Sequence, residues 1–553
     1  MITDRKTHLL WEFLPNTFLS ERVICHSSFI GHIFFTAFLL STLSSCGEET
    51  SHLEKTPHIK PSASLFPKDI KKNLAIKQGD QLRSKYCVHC HDLPSPSILP
   101  RESWPEAMRS MNMLFVAPDR LPLISGQIPA GFKYDPKEFI KIGRYMMSAS
   151  KSEKELMSTQ DSAFLTIPDH LITKLPVPFR KGTIETLFKY SPDKKEFYLG
   201  VIGESGFSLN TYNTSLALVR KIRTREAPID LHLTQDSTYI ATMGNMEEDN
   251  RKSEVLLADT PNTSSTTTIA QGLSRGSDIV VEDFDGDSIN DILHIGFGDN
   301  SGKGEITILW GKGDNNYSRQ KLMSKSGGLK AHVVDINGDQ RKDFLVLFAQ
   351  NYQNLILFEN QGNRKFTTRQ IIDRPVGWGY MSFELIDMNG DQHKDIVTVV
   401  GNNMELISKP LKPYHGIYVW ENNGKNEFVE TSFHPFIGAS QIQIGDFNGD
   451  RLMDFAATSL APNWRSRNPI TFGLWLQTSD GDYKSHTLSE TRWARFGLMT
   501  MKPEENSDQL WLLSSNLPIG LPPTPTPKIQ KSLASPPFLI QFDLKGYQAQ
   551  EAP

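Results

Sequence analysis

The chain has 553 residues, 38 % of them hydrophobic and 22 % charged, with a formal net charge of −4. That length exceeds one ordinary core and predicts two or more domains, while the near-neutral balance argues against a protein dominated by nucleic-acid contacts. With 31 Phe, 14 Tyr, 9 Trp and 38 Gly, the composition suits a strand-and-turn chain better than a helical one.

The first feature in chain order is an apolar run from Phe29 to Leu43, too short for a comfortable membrane span. It ends in Leu43-Ser44-Ser45-Cys46, which resembles the bacterial lipobox, where a Cys becomes the lipidated first residue of the mature protein. The resemblance implies a lipoprotein-type signal peptide over residues 1–45 and lipidation of Cys46. An ordinary signal peptide or an uncleaved anchor is the alternative. Either way the remainder is expected outside the cytoplasm, and the lipobox reading places it in a bacterial cell envelope, as an outer-membrane lipoprotein facing the periplasm or the cell surface. Residues 46–66, rich in Ser, Thr, Pro, Lys and Glu, read as a tether. Of the four cysteines, Cys25 lies ahead of the cleavage point and Cys46 takes the lipid, so Cys87 and Cys90 remain.

Those two sit in Cys87-Val88-His89-Cys90-His91, a C-x-x-C-H pattern. Two thiols three positions apart on one helical turn reach the two vinyl groups of one porphyrin, and His91 then falls under the iron. Zinc would need a second ligand pair, and a redox dithiol would need a βαβ context; neither is visible. The flanks resemble a small class I cytochrome c. AIKQGDQLRSKY reads as a helix with Gly79, Leu82 and Tyr86 at helical spacing, and PKEFIKIGRYMMSAS supplies a last helix with Ile140, Gly143, Arg144 and Tyr145. The resemblance implies that these helices pack through a small residue and an aromatic. It also implies that a Met from the segment between them completes the iron coordination. Met108, Met111 and Met113 all qualify, and Met111 is preferred because Trp104 to Met111 looks like similar domains attached to repeat proteins. A small all-α haem domain is thus expected over residues 67–152, with one covalent haem c held by Cys87, Cys90, His91 and Met111. A His/Met pair closes the iron to small substrates, which implies an electron carrier.

Downstream, DFDGDSIND, DINGDQRKD, DMNGDQHKD and DFNGDRLMD begin at Asp283, Asp335, Asp387 and Asp446, spaced 52, 52 and 59 residues apart. Each reads D-x-[DN]-G-D-x-x-x-D between apolar runs, so each is a tight loop between two buried strands. Oxygens at positions 1, 3, 5 and 9 can converge on one point, with a backbone carbonyl at 7, and hard oxygens in that number suit Ca²⁺. The expected ligands are Asp283, Asp285, Asp287 and Asp291; Asp335, Asn337, Asp339 and Asp343; Asp387, Asn389, Asp391 and Asp395; and Asp446, Asn448, Asp450 and Asp454. The glycine falls at position 4 and no Glu stands at 12, so this is not an EF-hand. Hairpins holding no metal are the alternative.

Each loop is followed by a further strand, an N-x-G-type turn and another strand. This order resembles the FG-GAP/VCBS repeat family, seen also in integrin α propellers, in which one repeat is a four-stranded blade. FYLGVIG, IATMG and LWLLSS, at Phe197, Ile240 and Leu510, add second strands of blades that lack the Asp residues. FLIQFDL then gives a late strand of the last blade. The expected fold is therefore mainly β: a seven-bladed β-propeller over residues 165–547, with eight blades as the competitor, preceded by the all-α haem domain.

Strand alternation puts the Asp loops and N-x-G turns on one rim and the longer, varied loops on the other. Trp378, Trp464, Arg465, Arg467 and Trp493 fall on that second rim, a candidate ligand face for a polysaccharide or a surface protein. The leading functional expectation is a lipid-anchored electron carrier that meets a redox protein partner, with the propeller as docking scaffold. A propeller oxidoreductase feeding its own cytochrome is the alternative, since propeller dehydrogenases using pyrroloquinoline quinone carry such domains, but the repeats contain no recognisable catalytic dyad. Pure adhesion is the third class.

Overall fold

The computed structural model describes residues 74–547 except 88–92, 117–131, 158–163, 177–182, 246–249, 259–263, 299–302, 351, 404–405, 407, 467–468, 490–496 and 515–537. Cys46, Cys90, His91, Arg467 and Trp493 lie outside the described residues, as do the side chain of Met113 and the Pro-rich stretch ahead of Phe538.

Among the described residues four α-helices come first: α1 (Leu74–Tyr86), α2 (Trp104–Val116), α3 (Pro136–Ala149) and α4 (Glu153–Met157). The sequence starts α3 with two local signals. Asp135 caps it by accepting the Lys137 N–H at 2.8 Å, and Pro136 stands where a missing N–H costs nothing. Phe139, Ile142, Gly143, Tyr145 and Met146 then form its buried stripe. The helix α1 crosses α3 at Gly79, which is close enough that an added β-carbon would collide with Tyr145 and lie 2.7 Å from the Lys141 carbonyl oxygen. This is the small-residue-on-aromatic crossing that the sequence led one to expect. Tyr86 anchors the end of α1: its hydroxyl donates to Glu138 at 2.7 Å and accepts the Asp135 N–H at 3.1 Å. Trp104 is buried and donates its indole N–H to the Pro96 carbonyl at 3.0 Å.

Seven sheets follow, five of them built of four consecutive antiparallel strands running outward in chain order. Among the described residues this settles the blade count at seven rather than eight. Blade three, for example, runs Gly276–Glu282, Asp291–Gly296, Glu305–Gly311 and Tyr317–Ser324. Second strands such as Asp291–Gly296, Asp343–Phe348, Asp395–Val400 and Asp454–Ser459 are buried along their whole length. They are covered on both faces by neighbouring blades, which is why they read as unbroken apolar runs. Outer strands alternate, since one face meets water.

Closure of the ring comes from a segment ahead of the first blade. Blade seven holds Gly497–Lys502, Gln509–Ser514 and Leu539–Phe542, and its outermost strand is Ile172–Leu175, with Ile172 opposite Phe542 and Leu175 opposite Leu539. The preceding pair, Leu165–Thr166, lies parallel on the outer edge of blade six. FLIQFDL is thus the third strand of its blade, and the fourth comes from the other end of the propeller. Inside the ring, side chains of several first strands bond the backbone of the next. Asp230 accepts the Ile279 N–H at 3.3 Å, Asp278 that of Ala331 at 2.7 Å, Gln441 that of Met499 at 3.2 Å, and Thr500 that of Tyr190 at 2.9 Å.

Candidate functional site

The four Asp loops are superposable in their bonding. In 283–291, one Asp283 oxygen accepts the N–H of Gly286 (2.7 Å) and Asp287 (3.2 Å), and the other accepts Ser288 (2.9 Å). The same three bonds recur on Asp335, Asp387 and Asp446. The first carboxylate therefore winds its own loop around itself. Position 4 is left-handed in every loop, with φ from +75° at Gly338 to +83° at Gly449, which is why glycine stands there. Position 6 is left-handed too, although it is occupied by Ser288, Gln340, Gln392 and Arg451. The residue pattern gave no sign of that strain.

The carboxylate oxygens of Asp283, Asp285 and Asp287 lie within 4.8 Å of one another. In the other loops position 3 is Asn337, Asn389 or Asn448, whose side-chain oxygen accepts the N–H of position 5 at 3.0–3.1 Å. Donors at positions 1, 3 and 5 are thus gathered on one side of each loop. They are hard oxygens, the chemistry that Ca²⁺ requires, so the residues present fit such an ion.

The ninth position is different. Asp291, Asp343, Asp395 and Asp454 are fully buried at the start of the second strand. One oxygen of each accepts the N–H of loop position 2: Phe284, Ile336, Met388 and Phe447, at 2.8–3.1 Å. The other accepts an N–H from the end of the third strand: Gly311, Asn360, Asn422 and Gln477, at 2.7–2.9 Å. Burial pushes the Asp291 carboxyl up to about 6 and that of Asp454 to about 7, although these amide hydrogens pull the other way. The expected ligand at position 9 is thus also a clamp between loop and blade.

In the helical unit, Cys87 is buried at the end of α1. Met108 and Met111 are half-buried on α2 and pack against the core shared by α1 and α3. A β-carbon at Gly143 would lie 3.6 Å from Met108 Cγ, so Met108 spends its side chain on the α2–α3 contact.

The candidate ligand rim is where this helical unit sits. Trp378 is buried and stacks on Tyr414 with centroids 4.6 Å apart and planes 8° from parallel. The Arg374 guanidinium lies over both Trp378 (5.2 Å) and Trp420 (4.7 Å). Tyr414 donates its hydroxyl to the Ile98 carbonyl at 2.6 Å. Glu106 accepts the Ser408 N–H at 3.3 Å, and Glu153 accepts the Leu411 N–H at 3.2 Å and pairs with Arg465. Beneath this platform Lys412 is fully buried, donating to the carbonyls of Gly377 (2.9 Å) and Asn402 (3.1 Å). Trp378 and Arg465 are therefore brought together with the helices, and Trp464 stays half-buried beside them. Tyr414, Glu153 and Lys412 were missed. Tyr414 and Glu153 are revealed only by contacts between residues some 300 positions apart, which no spacing in the sequence encodes, and Lys412 by its burial against the carbonyls of Gly377 and Asn402.

Residues 335–398 match the FG-GAP-like repeat family; they run from the Asp loop of blade four into the second strand of blade five. No curated protein matches the chain. Among solved structures it is similar to a lectin from Agrocybe aegerita described as recognising non-reducing terminal N-acetylglucosamine, at 15 % identity over 56 % of this chain and 81 % of that one, with a TM-score of 0.34. It is also similar to the WD40 domain of SCAP from fission yeast (10 % identity, 71 % and 92 % covered, TM-score 0.35) and to the N-terminal domain of Nup159 (12 %, 69 % and 100 %, 0.38). The repeat match and the seven sheets together make this chain a seven-bladed β-propeller with FG-GAP-like repeats, an architecture consistent with a binding scaffold.

Proposed function

We propose that the protein is an exported, lipid-anchored one-electron carrier in which a haem-bearing helical unit rides on a calcium-binding propeller. Cys87 and Cys90 would hold one haem c covalently, with His91 and Met111 on its two faces, and the haem would supply reversible one-electron chemistry. Cys46 would carry the lipid and place the protein in a bacterial outer membrane. A redox protein would be its partner at the helical unit. Positions 1, 3, 5 and 9 of the loops that begin at Asp335, Asp387 and Asp446 would hold Ca²⁺. The propeller rim would dock the helices first, and its remaining loops a polysaccharide or surface protein.

The observation that carries this reading is a buried Cys87 at the end of a helix that crosses α3 through Gly79 and Tyr145. The membrane association is assigned to the lipid because Leu43-Ser44-Ser45-Cys46 resembles the lipobox. The test is a pyridine-haemochrome spectrum of the full chain made in a host that matures c-type cytochromes. One haem per chain with a two-thioether spectrum is expected, and Cys90→Ala should lose that spectrum. Colourless protein would leave a binding scaffold without redox function.

A further inference from the structure

The four Asp loops differ at one position. Loop 283–291 has a carboxylate, Asp285, where the other three have Asn337, Asn389 and Asn448. That extra carboxylate is met by a cation from the next blade. Arg364 donates its Nε–H to Asp285 Oδ2 at 2.6 Å; its Nη2 lies 2.6 Å from the same oxygen and 3.8 Å from Asp287 Oδ2. The other Asp285 oxygen accepts the Asp287 N–H at 3.3 Å, as the Asn oxygens do in the other loops. The Asp285 side chain is 10 % exposed and that of Arg364 39 %, so the pair is partly screened by water.

Arg364 is unusual for its place. It is the fourth residue of a five-residue turn closed by Gln361 N–H to the Lys365 carbonyl, and the same turn recurs at 312–316 and 423–427. The fourth residue is left-handed in all three, with φ of +57° at Asn315, +60° at Arg364 and +60° at Asn426. Asn tolerates that conformation and Arg does so poorly. Asn426 also reaches the preceding blade's loop, donating to the Ile336 carbonyl at 2.5 Å, but it brings no charge. The guanidinium lies 4.9 Å from the Trp310 ring centroid, and Gln320 fixes the backbone beneath it by donating to the Arg364 main-chain carbonyl at 3.3 Å.

We infer that Arg364 supplies loop 283–291 with the positive charge that the other loops take from a metal ion, so that this loop is closed against calcium by the neighbouring blade. The inference rests on the calcium reading of the remaining loops. A divalent ion placed among Asp283, Asp285 and Asp287 would meet a guanidinium already bonded to one ligand and within 4 Å of another, a like-charge contact at close range. Arg341 also contacts a loop carboxylate, Asp339, but from within the same loop, leaving Asp335 and Asn337 uncontacted by it.

The test is calcium stoichiometry of the chelator-stripped full chain by equilibrium dialysis, with folding checked by circular dichroism. Arg364→Gln should bind one more calcium ion than the natural protein, and so should Arg364→Gln combined with Asp285→Asn, which gives this loop the position-3 Asn of the other three. In the natural background Asp285→Asn should leave the count unchanged, and Arg364→Lys should do the same because it keeps the charge. An unchanged or lower count for Arg364→Gln, or a lower count for Asp285→Asn alone, overturns the inference while leaving calcium binding by the propeller intact. No calcium in any of these proteins removes the calcium reading itself, and this inference with it.

Discussion

Glu384 shows how much a single side chain on the inner strands can carry. Lys330 lies 2.5 Å from one of its oxygens and His332 Nε2 lies 3.2 Å from the other, across the boundary between blades four and five. Burial works against the ionised form, yet Lys330 and His332 outweigh it and hold the carboxyl down at about 2, against an ordinary 4.5. A depressed folded value means that the stabilisation is complete above about pH 4.5 and is lost as the pH falls towards 2. The pair is 30 % and 24 % exposed, so its removal should cost about 2 kcal/mol, less than the 3–5 of a fully buried pair. Thermal melts of Glu384→Gln should show that loss at pH 7. They should also show a shallower decline than the natural protein between pH 4.5 and 2.5. Parallel melting curves over that acid range would mean that Glu384 is not the titrating partner.

At the scale of the element, the Asp loop does two jobs that its sequence pattern merges. Spacing and residue type pointed to positions 1, 3, 5 and 9 as one ligand set, because four repeats offered the same oxygens. The second role of position 9 was illegible, since its partners include the end of the third strand, 17 residues on in blade four. The seven second strands were legible for a simpler reason: each is a short apolar run covered on both faces. The outer strand Ile172–Leu175 was not, because it pairs with residues near the other end of the chain and has only four residues to show a pattern. The two jobs can be separated experimentally. Asp343→Ala leaves the Ile336 and Asn360 N–H groups without their acceptor and should cost about 3 kcal/mol even in chelator. Asp339→Asn keeps the shape of a proposed calcium ligand and gives up only a solvent-exposed pairing with Arg341, so it should differ from the natural protein chiefly when calcium is present. Denaturation with and without calcium reads both, and an Asp343→Ala defect confined to calcium buffer would reduce that residue to a ligand.

The whole molecule is set by where the helices rest on the ring. The rim residues were recognisable as large and cationic, but their use was not, because an aromatic platform for the chain's own helices reads like one for a foreign ligand. Three contacts bind the two parts at their edges: Tyr414 to the Ile98 carbonyl, Glu106 to the Ser408 amide, and Glu153 to Leu411 and Arg465. Arg465 is more than half exposed, so its pairing alone is a surface salt bridge contributing about 0–1 kcal/mol. The Tyr414 hydroxyl is buried, and removing it leaves a carbonyl unsatisfied at a cost of about 1–2 kcal/mol. Glu153→Arg combined with Tyr414→Phe should therefore loosen the helices without unfolding the blades. Hydrogen exchange should quicken in α2 and in the segment from Ser95 to Trp104, while the buried second strands of blades four to six keep their protection. Restoring the charge order with Arg465→Glu should slow that exchange part of the way back, which a change confined to the helices themselves could not produce. Exchange in α2 that is untouched by the double substitution would mean that the helices hold their place through the Trp378–Tyr414 stack and the apolar core alone.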